Sequence, residues 1–281
     1  MKTAFIVKPG IFTTIQDLGR TGMRRYGIAY AGVMDFTSAI NANIMCGNPP
    51  HAAVLEVTYT SPIIKMLKPI SIAVSGVDVS LVVDGITQKS LLYHAQEGDI
   101  VKIELLKGAR GYIAFRGGID VPQIQGSRST DTISKLGGEI IQAETVISCL
   151  DDVAVDTRTL LVKPDYLTKE IFIHKGPEFH LLSSKEKDLF TKQEWVITSK
   201  SNRMSYLLDG KPVKFNQHPM LSSPVLPGTI QLPPSGLPII LSNDSQTTGG
   251  YARIGIVQVS SYQILSQKMP GEKIKLSLLE E

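Results

Sequence analysis

A mainly β protein in two related parts is what this sequence predicts, and three observations carry that expectation. Short runs of alternating apolar residues recur between glycine, proline and asparagine turns, as half-buried strands require. Helical periodicity is nearly absent after Gly47. The two halves also open alike, each with a strand and a glycine–proline turn, Lys8-Pro9-Gly10 and Lys175-Gly176-Pro177. That hints at a duplicated β-barrel, a fold that closes its own sheet edges, with few short helices.

Taken in order, Ala4–Val7 is a strand, and Thr13–Gln16 is a second, extended one before Asp17, Gly19 and Arg20. Gly22, Gly27 and Gly32 then punctuate a long loop. Asp35 is placed to cap a helix that runs to the stop at Gly47-Asn48-Pro49-Pro50. Leu55–Thr60 alternates as a strand, with Glu56 expected on its solvent side. Residues 71–85 read as two strands around Gly76, residues 101–106 as another and Tyr112–Phe115 as another, the period-two pattern of antiparallel sheet. The polar stretch 150–167, with Asp151, Asp152 and Pro164, marks a boundary between domains 1–165 and 166–281. Ile171–His174 then opens a second β unit, Lys185–Phe190 a short helix and Glu194–Ile197 a strand. Leu237–Leu241 leads as a buried strand into the polar loop Ser242–Tyr251, beyond which a last apolar run begins.

Composition excludes several classes of function. Across 281 residues the charged fraction is 20% and the hydrophobic fraction 42%, with a formal net charge of +3. These values describe an ordinary globular protein with no basic stripe for nucleic acid, and the adjacent Arg24 and Arg25 read as surface charges. Cys46 and Cys149 stand far apart and outside any Cys-x-x-Cys or Cys/His cluster, so neither a disulfide scaffold nor structural zinc is expected. His51, His94, His174, His180 and His218 lack metal-ligand spacing. No apolar run suits a signal peptide or a membrane span, so a cytoplasmic protein is expected. Gly-x-Ser-x-Gly and the phosphate-loop pattern ending in Gly-Lys-Ser/Thr are both missing.

What remains is chemistry for anions and amides. Gly126-Ser127-Arg128-Ser129-Thr130 presents backbone amides, hydroxyls and a guanidinium together, a combination that suits a carboxylate, carbonate or phosphate, or equally a polar turn in which Arg128 pairs internally. The loop from Ser242 concentrates Asp244, Gln246, Thr248 and Tyr251, with Gly249 and Gly250 permitting a positive φ or close approach of backbone to a ligand. With Arg20, Arg203 and Gln231, such a set could orient a small amide or lactam beside a carboxylated or phosphorylated partner, or serve a binding module.

The stretches PGIFTTIQDLGRTG, GVMDFTSAINANIMCGN, YIAFRGGIDVPQIQGSRST, SNRMSYLLDG, GTIQLPPSGLPIILSNDSQTTGGY and MPGEKIKL span nearly the whole chain in one order. Together they resemble the family of the C subunit of bacterial 5-oxoprolinase, also described as biotin-dependent carboxyltransferase or allophanate hydrolase subunit 2, and as the antagonist of a sporulation-kinase inhibitor. The resemblance implies two cyclophilin-like β domains with a ligand cleft between them. It implies one of three subunits that open 5-oxo-L-proline to L-glutamate at the expense of ATP, the partners being a kinase-inhibitor-like B subunit and a LamB/YcsF-like A subunit. A related domain of urea carboxylase moves carboxylate from carboxybiotin to urea, so biotin on a carrier partner is the other implied cofactor. Two further readings therefore stay open: a carboxyltransferase acting on urea or another small amide, and a non-catalytic regulator that binds the kinase-inhibitor-like partner.

Carried over by motif, the catalytic candidates are Asp35, Arg128, Asp244 and Tyr251. The substrate-binding candidates are Gln16, Asp17, Arg20, Asn43, Ser127, Ser129, Arg203, Gln231, Gln246 and Thr248. The resemblance implies Arg128 and its serines for an anion, Asp244 or Tyr251 for proton transfer and Gln246 for an amide. The chain departs from the family pattern at Ser205 and Leu207, at Glu178 after Gly176-Pro177, and in the segment after Gly137-Gly138. These departures bear on the substrate, since a missing arginine removes a carboxylate or phosphate contact.

Overall fold

The computed structural model describes residues 2–138, 140–150, 158–215 and 220–279. It is mainly β, in two compact units. The first comprises Met1–Thr21 and Ala31–Lys163, the second Gly22–Tyr30 and Pro164–Glu281. Part of the expected boundary stretch, residues 151–157, and His218 lie outside the described residues.

In the first unit the strands are β1 Lys2–Lys8, β2 Phe12–Gln16, β3 Val54–Thr58, β4 Ile63–Met66, β5 Ile70–Val83, β6 Ile86–Thr87, β7 Leu92–Ala95, β8 Ile100–Phe115 and β9 Val146–Ser148, with helix α1 Phe36–Met45 after β2. They form one curled sheet in the order β2-β3-β8-β4-β1-β9, with β5 paired along β8 and carrying β6 and β7 on its other side. The two strands expected around Gly76 are a single 14-residue strand, and the runs 101–106 and 112–115 are likewise one strand of 16 residues. Glycine does not break β5 because its partner continues. The ladder slips between Gly76 and Val79 and then resumes, and a Cβ at Gly76 would press on Val79 Cγ1 and Arg110 O.

The register gives the sheet two unlike faces. One buries Ile15, Leu55, Val57, Ile72, Val74, Ile113 and Phe115 in the main core, each large aliphatic side chain stabilising by roughly 1.5–3 kcal/mol. The other aligns Thr14, Glu56, Tyr112 and Ser75 in one row across β2, β3, β8 and β5. Helix α1 lies on that second face, where Ala39 and Ala42 meet Val54, Ala73 and Ala114. Small residues on both sides let the helix approach closely, so β3 is buried on both faces. Asp35 caps α1 as expected, its Oδ1 accepting from Ser38 N at 3.1 Å.

The second unit contains β10 Glu170–Lys175, α2 Ser184–Lys192, β11 Glu194–Ile197, β12 Ser205–Asp209, β13 Ser223–Pro224, β14 Thr229–Leu232, β15 Ile239–Leu241, β16 Thr248–Gly249, β17 Ala252–Val257, α3 Val259–Ser266 and β18 Lys273–Leu278. Seven of these strands close into a barrel, β10-β17-β14-β15-β12-β11-β18, sealed by parallel pairing of β18 with β10. Trp195 and Phe190 are fully buried here; the indole donates to Phe190 O at 3.0 Å and the rings stand 6.3 Å apart. Helix α3 is not legible in the sequence. The Gln258 side chain caps no backbone N–H of the helix, and what holds the helix is packing on β10, where Phe172 N donates to Ser261 Oγ at 2.9 Å. No helix among the described residues is long and apolar enough to cross a membrane.

Candidate functional site

The serine–arginine turn of the first unit does hold an anion, and that anion is Asp17. Strand β2 delivers Asp17 to the turn, with Thr130 N bonded to Ile15 O at 2.9 Å. Asp17 Oδ1 accepts from Ser127 Oγ and Ser129 Oγ, both at 2.6 Å, and from Gly19 N at 2.9 Å, while Oδ2 accepts from Arg128 N at 2.6 Å. The two serine hydroxyls are thereby engaged inside the protein. Arg20, fully buried, donates from Nε to Ile124 O at 3.1 Å and from Nη2 to Ser129 O. Gln16 Nε2 donates to Thr14 Oγ1 and Thr130 O, each at 3.0 Å. Arg128 alone keeps reach: its Nε donates to Val121 O at 3.0 Å, and its remaining N–H groups have no partner among the described residues.

Asp35 belongs to a second buried cluster that contains the glutamate expected on the solvent side. Glu56 is wholly buried, because α1 covers the face its side chain projects from. Its Oε2 accepts from Met34 N at 2.7 Å and from the Tyr112 hydroxyl at 2.9 Å; that hydroxyl in turn accepts from Asp35 N at 2.8 Å. Arg110 Nε lies 3.9 Å from Glu56 Oε1. Burial, with Glu56 and then Asp35 beside it, pushes the Tyr112 phenol well above its ordinary range, so it stays protonated and relays one hydrogen bond to the next. The cluster fixes the backbone entering α1 and holds Asp35 where it caps. Asn43 stands apart, with its amide on the Ala52 and Pro50 carbonyls at 2.8 and 3.4 Å and its Oδ1 accepting from Asn48.

In the second unit Arg203 and Asp244 are brought together as a bidentate pair, Nε to Oδ2 at 3.0 Å and Nη2 to Oδ1 at 2.8 Å, with side chains 4% and 0% exposed. Asp244 N also donates to Arg203 O at 2.9 Å. Gln231, on β14, lies buried beneath Gly249, where an added Cβ would overlap its Nε2. Gln246, Thr248 and Tyr251 are exposed, and their side chains have no partner among the described residues. Of the candidate residues that are exposed or half-exposed, Arg128 in one unit and this amide–hydroxyl–phenol trio in the other keep side-chain groups with no partner among the described residues.

A model of the carboxyltransferase domain, subdomain A and B, matches residues 26–278. The chain belongs to the carboxyltransferase domain family. It is 32% identical to the C subunit of 5-oxoprolinase from Escherichia coli over 96% of this chain and 89% of that protein. It is 29% identical to urea amidolyase of Saccharomyces cerevisiae over 96% of this chain but 16% of that much longer one. The crystal structure of urea amidolyase from K. lactis superposes with a TM-score of 0.89 at 26% identity, covering 100% of this chain and 19% of that one.

Arg24, expected as a surface charge, instead reaches the Ser242–Tyr251 loop in this carboxyltransferase-family chain. Its Nη2 donates to Gln246 O at 2.7 Å and Val225 O at 2.8 Å, and its Nη1 approaches Ser245 O at 3.5 Å. One guanidinium thus ties the short β13–β16 pair to the loop. Arg25, by contrast, sits over the Tyr26 ring at 4.8 Å. Nothing local in the sequence separates the two arginines. Replacing Arg24 with alanine is expected to loosen the loop while sparing the barrel: exchange of the Val225 amide, bonded to Thr247 O, should quicken by about tenfold or more, while the β14 amides keep their protection. Uniform quickening across both would contradict this role.

Proposed function

We propose that this chain is the C component of an ATP-dependent 5-oxoprolinase, a hydrolase assembly that opens the lactam C–N bond of 5-oxo-L-proline to give L-glutamate. The observation that carries this reading is the extent of the match: nearly all of this chain aligns with nearly all of a free-standing 5-oxoprolinase C subunit, whereas in urea amidolyase the same stretch is a small part of a longer chain. The partners under this reading are a LamB/YcsF-like A subunit and a kinase-inhibitor-like B subunit. Arg128 supplies an uncommitted cation for a carboxylate or phosphate, and Gln246, Thr248 and Tyr251 supply amide, hydroxyl and phenol groups for a polar substrate. Asp17, Asp35 and Asp244 act in this scheme by holding their surroundings, since each is engaged within the protein. The chain has no phosphate-loop motif, so ATP is assigned to the assembly, where it would activate the lactam carbonyl.

The test is reconstitution. The three proteins with 5-oxo-L-proline and ATP should release glutamate, and omission of this chain should abolish it. Arg128→Ala should lower kcat/KM by about 100-fold or more, as loss of a positioned cation does. No glutamate from three folded proteins would refute the reading. The family match and the 26% identity to a solved urea amidolyase support a second reading, transfer of carboxylate from carboxybiotin to a small amide. Labelled bicarbonate entering an amide, with inhibition by avidin, would favour it.

A further inference from the structure

The segment Thr-Ile-Gln occurs twice, at Thr14–Gln16 on β2 and at Thr229–Gln231 on β14, once in each unit. In the first unit the NH2 end of the glutamine is engaged, because Gln16 Nε2 donates to Thr130 O at 3.0 Å, while its Oε1 is buried without a partner among the described residues. In the second, Gln231 is 1% exposed and its Nε2 has no acceptor among the described residues. A buried N–H without an acceptor is rare in a folded protein and calls for an occupant.

A second donor faces the same space. Gly249 lies over the Gln231 amide so closely that a Cβ there would overlap Nε2, and its φ is not in the left-handed region, so close approach is what requires glycine. Ser223 is the residue directly opposite Gly249 in the antiparallel β13–β16 pair. Opposite residues of such a pair project to the same face, which sends the Ser223 side chain toward the side where Gln231 lies. Its Oγ is also buried and without a partner among the described residues. The neighbouring charges are already matched: Arg253, opposite Gln231 on β17, is held by both oxygens of Glu178, with Nε to Oε2 at 3.0 Å and Nη2 to Oε1 at 2.8 Å. Two unspent donors therefore lie on the same side of the Thr248–Gly249 strand.

We propose that Gln231 Nε2 and Ser223 Oγ form a seat for one hydrogen-bond-accepting oxygen, the carbonyl or carboxylate oxygen of a small planar ligand. The seat deepens the proposed function, on which its ligand class rests, and adds Ser223, a residue outside every motif singled out in the sequence.

The test follows the Gln231 side-chain amide in the full-length protein labelled with 15N-glutamine, its resonance assigned by its loss in Gln231→Leu. Bicarbonate, 5-oxo-L-proline and urea are titrated separately. At least one should move that resonance saturably while leaving in place the Gln16 amide, whose Nε2 already has its acceptors. Ser223→Ala should weaken the same probe about tenfold, Ser223→Thr should restore it, and Gln231→Glu, which presents an acceptor where a donor is needed, should lose it. Ser223 variants keep the question answerable if Gln231 variants fail to fold. A Gln231 resonance unmoved by all three probes up to their solubility limits, or a Kd indifferent to both residues, overturns the seat and leaves a structural water as its occupant. If the reconstituted assembly opens 5-oxo-L-proline and folded Gln231→Leu does so with unchanged kcat/KM, the seat fails and the proposed function stands. If a probe binds the seat but the assembly opens no lactam, the seat stands and the function fails.

Discussion

Asp17→Ala is expected to be among the most damaging single substitutions in the first unit, destabilising the protein by about 3–5 kcal/mol. The size follows from what the carboxylate holds: two serine hydroxyls and the backbone amides of Gly19 and Arg128 all donate to it. Removing an acceptor orphans buried donors, and bonds to a charged acceptor are worth roughly 1.5–3 kcal/mol each. The hydroxyls can rotate toward other partners, so the full sum is not lost, but the Arg128 amide cannot move without the turn. Asp17→Asn, which keeps the shape and replaces one acceptor with a donor, should cost about 2–3 kcal/mol. Chemical denaturation checks both, with a lowered midpoint at an unchanged slope. A loss under about 1 kcal/mol for Asp17→Ala would show that the turn stands without its internal anion. Because Arg128 hangs from this turn, folded Asp17→Asn should also lose activity in the reconstituted assembly.

The second large effect is expected at Arg203. Arg203→Ala leaves the Asp244 carboxylate buried without its fork of two charge-assisted bonds, at a cost of about 3–5 kcal/mol. Arg203→Lys should recover less than half of this, since a single ammonium cannot make both bonds in the plane of the carboxylate. The discriminating measurement is a double-mutant cycle. Arg203→Ala combined with Asp244→Ala should be more stable than the sum of the two single losses predicts, by about 2–3 kcal/mol. Additive losses would mean that the two side chains are not energetically a pair. The cycle also separates holding from chemistry: if Asp244 carried protons in the reaction, the double variant would recover stability without recovering turnover.

Much of the fold was legible because it depends on local rules. Asp35 caps α1 because a short acceptor before an apolar helix satisfies its first amides, and that chemistry needs no distant partner. The helix Ser184–Lys192 and the strands flanking it were legible for the same reason. Reading failed where a neighbour decides. Gly76 looks like a strand end, yet β5 runs through it because its ladder with β8 slips there and then resumes. Glu56 alternates as a solvent-facing residue would, and only the helix laid across its face buries it. Helix α3 has neither a side-chain cap bond nor a broad apolar stripe, so its existence rests on what it packs against.

By itself the sequence determined the β class, the cap and stop of α1, the kinds of residue gathered in the two polar turns and, through the ordered motifs, the family. Tertiary structure alone decided which charges are spent and which are free. Asp17 meets Ser127 110 positions away and Asp244 meets Arg203 41 positions away. A carboxylate's partner is chosen by Coulomb energy and hydrogen-bond geometry over a few ångströms, and no periodicity in the chain encodes that distance. The same reason separates Arg24 from Arg25 and puts Arg128, Gln231 Nε2 and Ser223 Oγ among the groups that have hydrogen bonds still to give within the described residues.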